Sequence, residues 1–109
     1  FGTLFGPGIY LAESSMKADE YTQADARGWF PMILCRAVLG RINYCDKRDP
    51  ALLGAKLEAS CRPGGHFDSV LGDREAAVKT FREFIVFDNH QVYPEFIVWY
   101  VRMFPEESH

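Results

Sequence analysis

The sequence has 109 residues, of which 48% are hydrophobic and 25% are charged, and its formal net charge is −3. That length suits one domain at most, and this balance of apolar and charged residues excludes an intrinsically disordered chain. The slight acidic excess argues against bulk electrostatic binding to nucleic acid or to anionic membranes. The longest apolar runs, such as 84–87 and 96–101, are too short to cross a bilayer. The first residue is Phe1 rather than Met, so we expect a segment of a longer protein.

The three cysteines, Cys35, Cys45 and Cys61, do not indicate a disulfide scaffold, because their number is odd and their spacing is wide. Cys35 lies in an apolar run and is predicted to be a buried thiol. Cys45 and Cys61 with His66 lack a C-x-x-C pair and a fourth ligand, so no metal site is predicted. Reduced thiols indicate an intracellular protein, and the sequence does not distinguish nucleus from cytoplasm.

Turns rich in glycine and proline divide the chain into short elements. After an opening glycine-rich loop, residues 9–11 form an apolar run that fits the end of a strand. Ser14 or Ser15 is then predicted to cap a helix of about two turns that reaches Tyr21.

The middle of the chain combines one long apolar run with a polar region. Residues 29–39 predict a buried strand, although their length also fits a helix. Residues 43–66 predict a long irregular loop with a helical turn around 51–59. A brief strand is expected within 67–72.

The clearest predicted strands lie near the C-terminal end, at 81–87 and 96–103. Both are apolar on both faces and are therefore expected in the interior of a packed sheet. Residues 88–91 form a turn between them, and Pro94 is expected to keep the start of the last strand off any central ladder. The predicted class is α+β with largely antiparallel pairing.

Glu83 does not fit a purely structural role. Strand periodicity places it on one face with Phe81, Ile85 and Phe87, where an unpaired carboxylate is costly to bury. Two interpretations stay open from the periodicity alone. Glu83 lies either at a frayed strand start, in water or paired with an arginine, or in a functional site.

Tyr10 and Tyr21 are positioned so that they could stack on a flat ring between them. The alternative is that both are amphipathic core residues with hydroxyls at the surface. The glycines at 6–8 lack the third glycine and the strand-to-helix context of a dinucleotide-binding motif, so Rossmann and P-loop sites are excluded. No serine or cysteine stands in a recognisable nucleophile context.

Several segments, in the right order, resemble the poly(ADP-ribose) polymerase catalytic domain. Residues 5–12 read FGPGIYLA, which resembles that family's G-x-G-I-Y-F-A, and residues 14–21 read SSMKADEY, which resembles its S-K-S-x-x-Y. Residues 82–88 read REFIVFD, which is similar to N-E-Y-I-V-Y-D. Residues 67–70 and 91–97 resemble the mono-ADP-ribosylating, macrodomain-linked branch.

The resemblance implies the ADP-ribosyltransferase fold, an α+β arrangement of split antiparallel sheets and a short helix, with NAD in the cleft between the sheets. It also implies an NAD-dependent protein ADP-ribosyltransferase, a pentosyl-transferring glycosyltransferase that breaks the nicotinamide–ribose bond and passes ADP-ribose to an acceptor. NAD is then a substrate and no metal is expected. A protein acceptor is expected, a nucleic acid acceptor stays open, and no membrane partner is expected.

The resemblance also assigns roles to residues. Glu83 and Tyr10 are the candidate catalytic residues. Glu83 would hold the ribose 2′-hydroxyl, orient the acceptor and stabilise the positive charge of an oxocarbenium-like transition state. Tyr10 and Tyr21 would stack around the nicotinamide ring. The predicted NAD-binding set is Tyr10, Leu11, Ala12, Lys17, Ala18, Tyr21 and Glu83.

Two of these positions depart from the family pattern. Ala18 stands where the family has a serine that bonds the nicotinamide carboxamide, so a hydrogen bond worth about 0.5–1.5 kcal/mol is expected to be missing. Leu11 replaces the usual phenylalanine, which is a smaller change in packing.

The histidine that begins the family's catalytic triad has no counterpart among His66, His90 and His109. We therefore expect residues 1–104 to be the C-terminal part of a catalytic domain, active when its N-terminal part is present. Residues 105–109 are expected to be a polar tail.

Two questions about activity stay open. Glu83 favours a polymerising or at least Glu-type enzyme, because mono-transferring members often replace this glutamate, whereas 67–70 and 91–97 resemble the mono branch. Ala18 motivates the second hypothesis, a catalytically inactive relative that serves as a binding or scaffold module.

Overall fold

The computed structural model describes residues 5–47, 50–73 and 81–103. The predicted tail at 105–109 and the first residues of the opening loop lie outside these ranges. The described elements, in chain order, are β1 (Ile9–Ala12), α1 (Ser15–Asp19), β2 (Phe30–Ala37), β3 (Ile42–Cys45), α2 (Pro50–Ser60), β4 (Ser69–Gly72), β5 (Glu83–Val86), a 3₁₀ turn (Asn89–Gln91) and β6 (Val92–Tyr100).

The strands form a four-stranded sheet in the order β1-β5-β4-β3 and a two-stranded sheet of β2 and β6. Three of the four pairings are antiparallel, and the β3–β4 pair is parallel. Helix α2 lies in the connection between β3 and β4, as a parallel pair requires a long crossover. The α+β class with largely antiparallel pairing is confirmed, with one mixed and one antiparallel sheet.

The core lies where the larger sheet meets α2 and the opening loop. Val70 of β4 and Ile85 of β5 are opposite each other in the ladder and are both fully buried. Leu57 of α2 and the Phe5 ring join them. A Cβ at Gly72 would lie 2.3 Å from a Phe5 ring carbon, so the ring sits where only a glycine leaves room.

The prediction that 29–39 and 96–103 are buried interior strands is wrong about burial. Both regions form strands, but β2 and β6 pair with each other in a sheet of their own. Cys35 of β2 is correspondingly only partly buried, and all three cysteines are free. A hydrophobic pattern shows that side chains are apolar, but it does not show whether another element of the structure covers them. The exposed apolar side chains of this sheet include Ile33, Leu34, Phe96, Ile97, Val98 and Trp99.

Pro94 lies inside β6, opposite Cys35, beside a register shift between Leu34 and Cys35. A proline is tolerated there because the strand lies at a sheet edge, which agrees with the prediction that it stays off a central ladder.

Two further boundaries differ from the prediction. The region 43–66, predicted as an irregular loop, contains most of β3 and the whole of α2, which has eleven residues rather than a single turn. Helix α1 is capped by Ser14, whose hydroxyl accepts from the Met16 amide at 3.2 Å, but it ends at Asp19. Tyr21 lies in the turn that follows, where its amide bonds the Ala18 carbonyl at 3.1 Å.

Hydrogen bonds tie the two-stranded sheet to the rest of the chain at both ends. At one end the Gln91 side chain donates to the carbonyls of Val38, at 3.1 Å, and Asp68, at 2.8 Å. At the other end the Thr22 hydroxyl donates to the Pro31 carbonyl at 2.8 Å. The radius of gyration is 16.0 Å, against about 13 Å for a compact domain of this length.

Within the described ranges, neither helix is long and apolar enough to cross a membrane.

At the end of the parallel β3–β4 pair, a buried aspartate accepts a hydrogen bond from a tyrosine. The Tyr44 hydroxyl on β3 donates to Asp73, which follows β4 and is 9% exposed, at 2.5 Å. This hydrogen bond, together with desolvation, raises the pKa of Tyr44 to about 12.

We expect the substitution Ile85→Ala to lower the free energy of unfolding by about 2–5 kcal/mol, because it leaves a cavity among side chains that cannot collapse fully. The same substitution at Ile97, which is 62% exposed, is expected to change it by about 0.5 kcal/mol or less. Urea denaturation measures both values. Equal losses for the two variants would contradict the difference in burial.

The Tyr44–Asp73 bond predicts a stability that depends on alkaline pH. Because the pKa of Tyr44 is higher in the folded state, its contribution is complete below about pH 10 and is lost as the pH rises through about 12. The loss of stability caused by Tyr44→Phe should therefore shrink over this range in urea denaturation. A loss that is the same at about pH 8 and about pH 11 would argue against this bond.

Candidate active site

A cleft of about 670 Å³ lies between the two sheets, a volume typical of small-molecule sites. All four residues of β1 line it, with Glu83 and Phe84 of β5 beside them. The opposite wall comes from the two-stranded sheet. Its lining side chains are Met32, Ile33, Leu34, Cys35, Ala37 and Val92.

Most of the residues that the sequence singled out meet in this cleft. Six of the seven predicted NAD-binding residues line it, namely Tyr10, Leu11, Ala12, Ala18, Tyr21 and Glu83. Lys17 does not belong to the lining. Three separate segments of the chain therefore converge on one cavity.

Glu83 is the buried charge of the site. It begins β5, opposite Ala12 of β1 and Gly72 of β4, and it is 3% exposed. The Tyr21 hydroxyl donates to its Oε1 at 3.2 Å. A carboxylate removed from water requires such a polar partner. Glu83 is thus held inside the strand pairing rather than in water at a frayed end.

Lys17 does not line the cleft but lies beside Tyr21. Its side chain is 7% exposed, and its Nζ lies 3.4 Å from Glu20 Oε1. The same ammonium lies 5.1 Å from the centroid of the Tyr21 ring, within the range of a cation–π interaction. The cation–π contact restrains the ring of the tyrosine that bonds Glu83.

The Tyr10 hydroxyl is engaged with the opening loop. It accepts from the Phe5 amide at 2.8 Å and donates to the Gly6 carbonyl at 2.6 Å. Gly6 has a φ of +108°, a conformation that favours glycine. The ring also packs against the core. Tyr10 therefore presents a fixed ring to the cleft, with its hydroxyl directed to the backbone of the loop.

An ion pair lies next to Glu83, just past the end of the β1–β5 pairing. Both Glu13 oxygens accept from Arg82 Nη2, at 2.9 and 2.7 Å. The sequence pattern did not predict this pair, although the antiparallel register that places Ala12 opposite Glu83 also places Glu13 opposite Arg82. Both side chains are more than a third exposed, and such pairs contribute about 0–1 kcal/mol.

The part of the wall formed by β2 was not predicted from the sequence either. Its residues carry no motif, and a run of apolar side chains has the same pattern whether it fills a core or lines a cavity. Among the described residues, no group of three or more histidine, cysteine or acidic side chains is arranged to hold a metal ion.

Comparison with known proteins identifies the family. The poly(ADP-ribose) polymerase catalytic domain matches residues 1–101. A human relative, protein mono-ADP-ribosyltransferase PARP12, is 29% identical over 102 residues, which cover 91% of this chain and 13% of the relative. The Caenorhabditis elegans poly [ADP-ribose] polymerase tankyrase is 44% identical over 45 residues, which cover 41% of this chain and 2% of that protein. The chain thus spans a small part of each relative, and it belongs to the family of poly(ADP-ribose) polymerase catalytic domains.

Proposed function

We propose that this chain forms part of an NAD-dependent protein ADP-ribosyltransferase, which cleaves the nicotinamide–ribose bond and transfers ADP-ribose to an acceptor. The observation that carries the proposal is the buried Glu83 carboxylate, held by Tyr21 in the wall of a cleft between two sheets. Membership of the family supports it. The fold proposed is the split-sheet ADP-ribosyltransferase fold, with NAD as the substrate between the sheets.

The chemistry explains why a carboxylate is needed there. Cleavage of the glycosidic bond to nicotinamide builds positive charge on the ribose, and a negative group nearby stabilises that transition state. Glu83 would accept a hydrogen bond from the ribose 2′-hydroxyl and orient the acceptor. Because the carboxylate is buried, its field is screened less than it would be at the surface.

Tyr10 and Tyr21 would hold the nicotinamide ring by stacking. The Tyr10 ring is fixed by the hydrogen bonds of its hydroxyl to the opening loop, so stacking on it requires little further ordering. Its proposed catalytic contribution is therefore the orientation of the leaving group. Leu11, Ala12 and Ala18 would form the surface against which the rest of the ring packs.

The proposal assigns residues 1–104 to the catalytic domain and leaves 105–109 outside it. A protein acceptor is proposed. One relative is named a mono-ADP-ribosyltransferase and the other a poly(ADP-ribose) polymerase, and both modes of transfer are compatible with a buried Glu83. An intracellular setting, where NAD is available, belongs to the same proposal.

A second candidate function is a binding or scaffold module without transferase activity. Ala18 lines the cleft but has no hydroxyl to bond a carboxamide. If that bond is essential for holding nicotinamide, the cleft would bind its ligand too weakly for catalysis.

We expect Glu83→Gln in the full-length protein to reduce ADP-ribose transfer from labelled NAD by about 100- to 1,000-fold, because it removes the charge that faces the transition state. The amide keeps the shape of the side chain and an oxygen that can accept from Tyr21. The matched control is Glu58→Gln on α2, whose partner is Arg62 at 2.5 Å, and it should transfer at the wild-type rate. Undiminished transfer by the Glu83 variant would exclude the catalytic role.

We expect Ala18→Ser to tighten the binding of nicotinamide by about 2- to 12-fold, which corresponds to one added hydrogen bond. Calorimetric titration of the full-length protein with nicotinamide measures the change. Ala59→Ser, an exposed position on α2, is the control and should leave the affinity unchanged. Absence of binding in both the wild type and the Ala18 variant would favour the scaffold function.

A further inference from the structure

A charged cluster ties the end of the last strand to the C-terminal end of helix α1. We propose that Asp19, Tyr100 and Arg102 are positioning residues of the active site, which hold α1 and β2 so that Tyr21 stays within hydrogen-bond distance of Glu83. This inference rests on the proposed function for its catalytic consequence. We call the three residues the α1–β6 clamp.

The clamp engages both the side chain and the backbone of Asp19, the last residue of α1. Asp19 Oδ1 accepts from the Tyr100 hydroxyl and from Arg102 Nε, the latter at 2.9 Å. Arg102 Nη2 donates to the Asp19 main-chain carbonyl at 2.9 Å. The two nitrogens of one guanidinium thus fix the end of the helix in two places, which a lysine could not reproduce.

Aromatic rings hold the guanidinium in place. The Arg102 guanidinium carbon lies 4.0 Å from the centroid of the Phe30 ring. Phe30 and Tyr100 are opposite each other in the β2–β6 ladder, and their rings stack with centroids 5.7 Å apart. The cation–π contact with Phe30 already restricts the Arg102 side chain. Its hydrogen bonds to Asp19 therefore cost little further side-chain entropy.

Helix α1 depends on such external contacts. It has five residues, far fewer than a helix needs to be stable by itself. Tyr21 follows it by two residues, and the hydroxyl of Tyr21 donates to Glu83. A displacement of Asp19 would therefore be transmitted through two residues to Tyr21, and through the Tyr21 hydroxyl to the carboxylate.

The clamp also sets the opposite wall of the cleft. It holds Phe30 at the start of β2, and the next residues of that strand, from Met32 to Cys35, line the cavity. Thr22 reinforces the same end of the sheet through the Pro31 carbonyl. The clamp thus contacts both α1 and the first residue of the strand that lines the opposite wall of the cleft.

Asp19 is ionised in this environment. The hydrogen bond from Tyr100 and then that from Arg102 lower the pKa of Asp19 below its usual range. Burial raises the pKa of Tyr100, as does its bond to Asp19, so the hydroxyl stays a donor. Charge-assisted hydrogen bonds of this kind are stronger than neutral ones. The carboxylate of Asp19 is about a third exposed, so the clamp is also sensitive to salt.

The experiment compares two arginine–carboxylate pairs. One is Arg102–Asp19, just beyond the end of β6, and the other is Arg36–Glu95, between β2 and β6. In the full-length protein, Arg102→Ala and Asp19→Asn are expected to lower kcat/KM for NAD by about 10- to 100-fold, because misplacement of a catalytic group by about 1 Å has effects of this size. Arg102→Lys should recover part of the loss. The matched controls are Arg36→Ala and Glu95→Gln, which break a pair that joins β2 and β6 at 2.5 Å without touching α1. Losses that are equal in both pairs would overturn the proposal.

A second measurement separates positioning from the proposed function. The amides of Lys17, Ala18, Glu20 and Tyr21 are bonded within the α1 turn, and their hydrogen exchange should accelerate at least several-fold in Arg102→Ala but not in Arg36→Ala. Faster exchange with unchanged kcat/KM would overturn the positioning role, as would unchanged exchange. If the wild type neither binds nor uses NAD, the proposed function fails, and exchange alone decides whether the clamp holds α1.

Discussion

Strand β5 is the element on which the rest of the structure depends, because it pairs with β1 on one side and with β4 on the other. Ile85 and Glu83 lie two residues apart and therefore on the same face. Ile85 is fully buried in the core, whereas Glu83 is buried at the edge of the cleft. The ladder that stabilises the core thus also fixes the carboxylate, and any shift of register would displace both.

The cleft, in contrast, depends on polar contacts rather than on apolar packing. The two-stranded sheet keeps large apolar side chains exposed in the described part of the chain. Its position is set by hydrogen bonds at its two ends, from Gln91 to the carbonyl of Asp68 and from Tyr100 and Arg102 to Asp19. Because such bonds depend strongly on distance and direction, they define the geometry of the site more sharply than a nonspecific apolar contact would. The same arrangement makes the width of the cleft sensitive to single substitutions far from Glu83.

Local sequence signals predicted the elements whose structure is determined locally. Ser14 caps α1 because its hydroxyl reaches an amide two residues along the chain, and β1 and β5 follow from short apolar runs with strand periodicity. Strand β3 was not predicted, because Ile42–Cys45 is short and partly polar and becomes a strand through its parallel pairing with β4. Tyr10 and Tyr21 likewise combine a feature predicted from the sequence with one that only the folded chain shows. Their place in the site was predicted by resemblance, whereas the bond from Tyr10 to the opening loop follows only from the folded backbone.

The sequence by itself determined the α+β class, the family motifs around Tyr10, Tyr21 and Glu83, and the absence of a phosphate-loop or Rossmann glycine pattern. These properties depend on residue types at fixed spacings along one chain. Only the tertiary structure decided that Glu83 is buried beside Tyr21, that the apolar run at 29–39 lines a cleft rather than a core, and that Arg102 holds the helix that ends at Asp19. Each of these pairs distant segments, and the choice among such partners is made by the packing of the whole chain rather than by any local pattern.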